Sequence, residues 1–329
     1  MGAGRQAPKH PWLVGDIGGT NARFALCDGP GAEPRAALAL ACEDYPDLAA
    51  AADAYLSNQG AIRPAHACIA VAGPVGGDRV ALTNNAWSFS IEATRARLGL
   101  ERLLIVNDFT AQALSVPFLG PEDLARIGGG EAVAGAAIAV IGPGTGLGVS
   151  GLMPVAGRWV AVPGEGGHVG FAPSDETEAA ILDLLRRRFG RVSCERLVSG
   201  PGLVILHQAL SALADQPAEP LAPDQIVERA LAGTDPLCLD VLERFCAILG
   251  TVAGDVALAL GARGGIYITG GIVPRILDFF RTSQFRPRFE AKGRLGDYTN
   301  AIPTSVITVA MPALTGTARA LEQALSEPG

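Results

Sequence analysis

Residues 12–28 read Trp-Leu-Val-Gly-Asp-Ile-Gly-Gly-Thr-Asn-Ala-Arg-Phe-Ala-Leu-Cys-Asp, and this stretch decides the fold. The apolar run 12–17 predicts a buried strand, Gly18, Gly19, Thr20 and Asn21 a tight turn, and 22–28 a second strand, so the domain opens on a hairpin. The turn also carries chemical groups. Its glycines let the backbone approach a phosphate and adopt positive φ. Thr20 offers a hydroxyl, and Asp16 a carboxylate able to hold a hydrated Mg²⁺ ion. An ordinary hairpin turn would have the same composition.

Outward from this hairpin, the sequence predicts a helix at 46–57, a strand at 66–72, a short helix at 90–98 and a strand at 103–107. That last strand delivers Asp108 at its C-terminal edge, ahead of a helix from about 109. The pattern then begins again. A strand at 137–141 and one at 148–153 flank Gly142-Pro-Gly-Thr-Gly-Leu-Gly148. This turn departs from G-x-G-x-x-G at Leu147, lacks the Gly-Lys-Ser/Thr of a P-loop, and joins strand to strand where those motifs lead into a helix. A strand near 158–162 follows, then helices near 177–189, 201–214 and 224–232. The clearest helix is 236–260, where Leu237, Val241, Leu242, Phe245, Ile248, Leu249, Val252 and Val256 form one apolar stripe. A strand at 266–269, the pair Gly270-Gly271, a helix at 274–280, a strand at 305–309 and a helix at 314–325 complete the chain. The echo of Gly18-Gly19-Thr20 in Gly144-Thr145-Gly146 predicts two similar α/β domains facing one cleft. We place them at 10–118 plus 309–329 and at 119–308.

The chain has 329 residues, 49% of them hydrophobic and 18% charged, enough for two packed cores. A formal charge of −7 argues against nucleic acid and anionic membranes as partners. An anionic nucleotide can still be held by local backbone amides and a metal. Lysine occurs twice, at Lys9 and Lys292, so no glycine-rich loop has a lysine clamp. The six cysteines form no C-x-x-C pair and read as reduced thiols of a cytoplasmic protein. Met1 to Pro11 lack a signal-peptide pattern. Residues 132–157 carry no charge and match a bilayer in length. Their glycines and two prolines, Pro143 and Pro154, rule against a helix and favour strand–turn–strand.

Taken singly, each glycine turn is also read as a plain structural turn. Three in this order, with Gly270-Gly271 between a strand and a helix where adenine could approach, resemble the two phosphate segments and the adenosine segment of the actin, heat-shock-70 and sugar-kinase superfamily. Seven motifs narrow the resemblance to the bacterial glucokinases. They are Gly15-Asp-Ile-Gly-Gly-Thr-Asn-Ala-Arg23, Leu82-Thr-Asn-Asn-Ala-Trp87, Val106-Asn-Asp-Phe-Thr-Ala111, Gly142-Pro-Gly-Thr-Gly-Leu-Gly148, Glu165-Gly-Gly-His168, Glu195-Arg-Leu-Val-Ser-Gly-Pro-Gly202 and Thr269-Gly-Gly-Ile272. The resemblance covers nearly the whole chain.

It implies two actin-like (ribonuclease-H-like) α/β domains facing a central cleft, and an ATP- and Mg²⁺-dependent hexose kinase that acts as a cytoplasmic homodimer. By the same resemblance Asp108 is the base, and Asn107, Asp108, Glu165, His168 and Glu195 bind the hexose, joined by Asn84. Gly15, Asp16, Ile17, Gly18, Gly19, Thr20, Gly144, Thr145, Gly146, Gly270 and Gly271 bind the nucleotide, with Asp16 holding Mg²⁺ through water. The residue types suit the task, since a sugar offers several hydroxyls and no charge, and short carboxylates and amides can each bond two of them. His168 could be suspected as a zinc ligand, but the cysteine cluster that accompanies such a site in the related repressor–kinase family is missing. A kinase for fructose, mannose or an N-acetylated hexosamine remains an alternative. So does a sugar-sensing repressor on the same fold, although its helix-turn-helix segment would precede the first phosphate turn, which here begins at Asp16. An actin-like filament protein would not need the sugar-facing groups together.

Overall fold

Strands β1 (Trp12–Ile17) and β2 (Asn21–Cys27) pair antiparallel about the Gly18–Thr20 turn, because their apolar side chains have a core to enter. Leu13, Ile17, Ala22, Phe24 and Leu26 are all essentially inaccessible to water. The computed structural model describes residues 10–73, 75–82 and 85–326. The chain divides into two compact units, Met1–Leu119 with Val309–Gly329, and Gly120–Thr308.

In the first unit β3 (Arg35–Ala41) lies beyond β2 at the sheet edge. Helix α1 (Leu48–Asn58) starts at Asp47, whose carboxylate accepts the Ala50 N–H at 2.7 Å. Strand β4 (His66–Val71) is followed by the short ribbon β5 (Arg79–Ala81) and β6 (Ser88–Ser90), helix α2 (Ile91–Arg97), β7 (Arg102–Asn107) and α3 (Asp108–Ser115). The sheet runs β3-β2-β1-β4-β7, antiparallel across the first three strands and parallel from β1 to β7. Burial on both faces explains the unbroken apolar runs of β1 and β4.

The second unit adds β8 (Leu124–Gly128), β9 (Ile138–Pro143), β10 (Leu147–Val155) and β11 (Arg158–Gly164). Helices α4 (Glu176–Phe189), α5 (Gly200–Leu213), α6 (Pro223–Ala232) and α7 (Pro236–Leu260) come next. The unit ends with β12 (Ile266–Ile268), α8 (Leu277–Thr282), α9 (Phe285–Glu290), α10 (Gly296–Asn300) and β13 (Thr304–Ile307). Its sheet runs β11-β10-β9-β12-β13-β8, so its first five strands follow the same path as the first unit's sheet: a three-stranded antiparallel meander, then two parallel strands. Each unit thus has the actin-like α/β topology.

Helix α7 forms the spine of this second core. Val241, Leu242, Phe245, Ile248, Leu249 and Val252 are buried along one stripe, while Leu237 and Val256 pack at its edge. Asp235 caps its start, and Gly261, at φ 60°, ends it in the left-handed region. Glu178 of α4 is completely buried and ionically paired: its carboxylate accepts the Arg288 guanidinium at 2.8 and 3.0 Å and the Ser174 N–H at 2.8 Å. That network ties α4 to α9 and, through Arg244, to α7.

A last helix, α11 (Pro312–Ser326), returns to the first unit and packs on α3 so closely that a Cβ at Gly316 would stand 1.7 Å from the Ala111 carbonyl oxygen. Among the described residues no helix is long and apolar enough to cross a membrane, and the uncharged stretch 132–157 is spent largely on β9 and β10.

The structure departs from the sequence reading in places. The helix expected at 274–280 is a 3₁₀ turn, Val273–Ile276, that passes into α8. Strand β8 and the short helices α9 and α10 carry no periodic signal. Asn84 lies outside the described residues.

Candidate active site

In the first unit, the β1–β2 turn is closed by the Gly18 N–H donating to the Asn21 carbonyl at 3.0 Å, and Thr20 stands exposed at its tip. Asp16 ends up opposite Arg23 in the β1–β2 register, with a guanidinium nitrogen 3.6 Å from its carboxylate. Burial pushes the Asp16 carboxyl above its ordinary range, and Arg23 offsets part of that rise. Gly15 and Ile17 sit differently. Gly15 is buried in the sheet, where a Cβ would meet Ile69 at 2.8 Å and Phe24 at 3.0 Å, and the Ile17 side chain lies in the core. Neither side chain position faces the turn, so Ile17 has only backbone groups to offer there and Gly15 serves the packing of β1.

At the β7–α3 junction, Asn107 is the helix cap. Its side-chain oxygen accepts the Phe109 N–H at 2.9 Å and the Thr110 N–H at 3.2 Å, and its amide donates to the Gly73 carbonyl at 3.2 Å. Asp108 is the first residue of α3, half-buried, and its carboxylate also accepts the Phe109 N–H at 3.0 Å. With Asn107 capping, Asp108 stands at the positive end of the helix without being its cap.

In the second unit the Gly142–Gly148 turn is held from both flanks. On one side the Gly200 N–H, at the start of α5, donates to the Gly144 carbonyl at 2.7 Å. On the other the Leu147 N–H donates to Glu195 Oε2 at 2.9 Å. Gly270, at φ 90°, ends β12 so close to the turn that a Cβ would come 2.3 Å from the Pro143 carbonyl. Gly167 approaches the Leu147 carbonyl in the same way, with a Cβ distance of 1.9 Å. These contacts bring Glu165, His168 and Glu195 onto one side of the turn, with His168 Nε2 3.8 Å from Glu195 Oε1. The exposed Glu165 carries the carbonyl that accepts the His168 N–H at 3.0 Å. Thr145 is exposed at the turn's tip.

Beyond Gly200 lies a pocket of about 370 Å³ with apolar walls from Leu203, Val227, Ile272 and Ile276, and with Gly271 at its edge. A flat heterocycle fits those walls, and Gly271 has nothing within 4 Å of where a Cβ would stand. The sequence gave no sign of Arg191, which donates to the His168 carbonyl at 2.6 Å. It is one arginine among many, in no motif. Ser199 likewise escaped notice; it caps α5 by accepting the Gly202 N–H at 3.0 Å. The small residues around Gly200 could have signalled that cap.

Among the described residues no group of three or more His, Cys, Asp or Glu gathers to hold a metal. A single carboxylate at a phosphate turn, Asp16, is the donor set suited to a hydrated Mg²⁺ that arrives on a nucleotide.

A duplicated actin-like α/β fold, glycine turns joining strands in both units, and a sugar-type carboxylate–imidazole cluster beside one of them define a kinase of the sugar-kinase class. The glucokinase family profile matches residues 13–324. A glucokinase of Chromobacterium violaceum is 54% identical over 316 residues, covering 96% of this chain and 90% of that protein. Among solved structures, a glucokinase from an Antarctic psychrotroph superposes with a TM-score of 0.87 at 37% identity, covering 95% of this chain and 99% of that one. The fold is shared with a ROK family glucokinase from Streptomyces griseus, described in complex with glucose and AMPPNP, at a TM-score of 0.64 and 19% identity over 95% of this chain and 99% of the other. The chain belongs to the glucokinase family.

Proposed function

We propose that this chain transfers the γ-phosphoryl group of Mg²⁺-ATP to the 6-hydroxyl of D-glucose, giving glucose 6-phosphate and ADP. The observation that carries the reading is the order of parts along the second unit: an apolar slot at Gly271, the phosphate-type turn at Gly144–Gly146, then Glu165, His168 and Glu195, with the turn hydrogen-bonded to its neighbours on both flanks. That is the order of adenine, phosphates and acceptor in a phosphoryl transfer. The relatives' name, glucokinase, and the glucose and AMPPNP of the Streptomyces griseus complex support the same reading.

The chain's own groups then have defined tasks. Glu165, His168 and Glu195 in one unit, and Asn107 and Asp108 in the other, bond the sugar hydroxyls. Gly18, Gly19 and Thr20, and Gly144, Thr145 and Gly146, offer amides and hydroxyls to the phosphates. Asp16 would hold Mg²⁺ through water, and that ion neutralises charge on the transferring phosphoryl group when bound. Asp108 takes the proton from the 6-hydroxyl. Phosphoryl transfer demands chiefly alignment and charge stabilisation, so an ordinary aspartate with a fixed backbone suffices as base. We extend the reading to a homodimer in the cytoplasm, which gel filtration with light scattering checks.

The test is a coupled ATP-consumption assay across glucose, mannose, fructose and N-acetylated hexosamines, with and without Mg²⁺. The highest kcat/KM is expected for glucose, and turnover is expected to need Mg²⁺. A higher kcat/KM for another hexose refutes the substrate, and no turnover with any sugar refutes the kinase.

A further inference from the structure

We propose that Gly146 is a positioning residue for the sugar side: the space left by its missing side chain is the seat of the Glu195 carboxylate. The proposal rests on the reading of Glu195 as a sugar ligand and adds how that ligand is held. Glycines in a phosphate turn are ordinarily explained by close approach of the phosphate or by positive φ. Gly146 needs neither. Its φ lies outside the left-handed region, so its backbone would accept alanine. What an alanine Cβ would meet is Glu195, with Oε2 at 2.5 Å and Cδ at 3.2 Å. Gly144, two residues earlier in the same turn, has nothing within 4 Å of its Cβ position. One turn therefore holds two glycines of different purpose, one open to a ligand and one occupied by a protein carboxylate.

The seat is specific. Glu195 Oε2 accepts the Leu147 N–H at 2.9 Å, while Oε1 is turned toward His168, at 3.8 Å. The Glu195 backbone cannot follow a displaced carboxylate, because the neighbouring Cys194 N–H donates to the Val169 carbonyl at 3.0 Å, next to the segment bearing Glu165 and His168. An added methyl group at position 146 must swing the carboxylate off the Leu147 N–H and away from its sugar-facing position. The nucleotide turn and the sugar-binding carboxylate thus move as one piece. Displacement of the turn by phosphates is felt at Glu195, and by reciprocity a bound sugar fixes the turn.

The experiment is isothermal titration of glucose, without nucleotide, into the full-length wild type, Gly146→Ala, Gly144→Ala, Glu195→Ala and the double variant Gly146→Ala/Glu195→Ala, with melting temperatures for each. Gly146→Ala is expected to weaken glucose binding about 10-fold or more, the scale of a lost charge-assisted hydrogen bond. Gly144→Ala should change it less than about threefold, and the double variant should bind glucose no more weakly than Glu195→Ala alone. If Gly146→Ala fails to fold while the double variant folds, the collision with Glu195 is established directly. The proposal is overturned if Glu195→Ala weakens glucose binding but Gly146→Ala binds it normally, or if the two substitutions add. Normal glucose affinity in Glu195→Ala would instead refute the sugar-site reading on which the proposal stands.

Discussion

Replacing Asp108 by asparagine separates chemistry from architecture at the β7–α3 junction. The amide has nearly the shape of the carboxylate and keeps an oxygen to accept the Phe109 N–H, a bond of 3.0 Å in the native protein. The cap itself is untouched, because Asn107 supplies it through two further N–H bonds. The structural loss is one negative charge in the first turn of α3, about 0.3–1 kcal/mol. For a unit of this size that lowers the melting temperature by no more than about 4 °C. The chemical loss is the proton acceptor, worth about 10²–10⁴-fold in kcat, or roughly 3–5 kcal/mol of barrier. Rate and stability therefore part company by several kcal/mol in a single variant. The assay is kcat by coupled ADP release, with calorimetric melting and glucose titration on the same preparation. Glucose should still bind, since the amide oxygen accepts a hydroxyl proton. A kcat within about threefold of wild type, or a rate loss matched by a comparable loss of fold, refutes Asp108 as the base. The converse variant, Asn107→Ala, should cost stability by about 0.5–2 kcal/mol through loss of the cap.

Thr145→Val, at an exposed turn tip, should raise the KM for ATP about 2- to 10-fold, one neutral hydrogen bond; an unchanged ATP KM with weakened glucose binding would contradict the phosphate role. Glu178→Gln leaves the buried Arg288 and Arg244 charges short of a counter-charge, at a cost of about 3–5 kcal/mol. Melting should fall by about 6–20 °C, and a calorimetric shift under 2 °C counts against that network. Asp175, the cap of α4, has its carboxyl held below the ordinary value of 3.8. Burial works against this, but the Glu178 N–H and the Arg244 and Arg288 charges outweigh it. Its contribution is therefore present above pH 3.8 and lost as pH falls through the lower folded-state value. Asp175→Asn should melt below wild type at pH 7, with the gap closing below pH 3.8; a gap constant with pH would refute the charge's role.

Much of the fold was legible because burial leaves a local trace. The apolar runs of β1, β4 and β9 and the stripe of α7 are readable one segment at a time, and so is the doubled turn motif. Strand β3 has no such trace, since the edge position leaves most of it at least half exposed, and α9 and α10 are too short for periodicity to register. At the site, a motif shows that Glu195 matters but not that its carboxylate rests on an amide 48 residues earlier. Asn107 and Asp108 are both good caps by composition, and only the three-dimensional course of the chain after β7 assigns the cap to Asn107. Glycines are the least legible of all. Gly15 and Gly270 sit in the motifs of a ligand turn, yet each has a packing demand that an isolated sequence cannot reveal.

The docking of α11 on α3 has a consequence for how the protein is made. The first unit is assembled from two segments separated by the whole of the second, and the ribosome delivers them in that order. Strands β1 to β7 and helices α1 to α3 emerge early but lack the helix whose Ala313, Leu314, Ala318 and Leu321 complete their packing. Residues 120–308, being continuous, can fold on emergence, while the earlier segment waits with apolar surface uncovered. The nascent chain therefore passes through a stage in which the part made first is the part finished last. During that interval the unfinished sheet is a target for chaperones, and a substitution such as Gly316→Ala, which keeps α11 from seating, prolongs the exposure indefinitely.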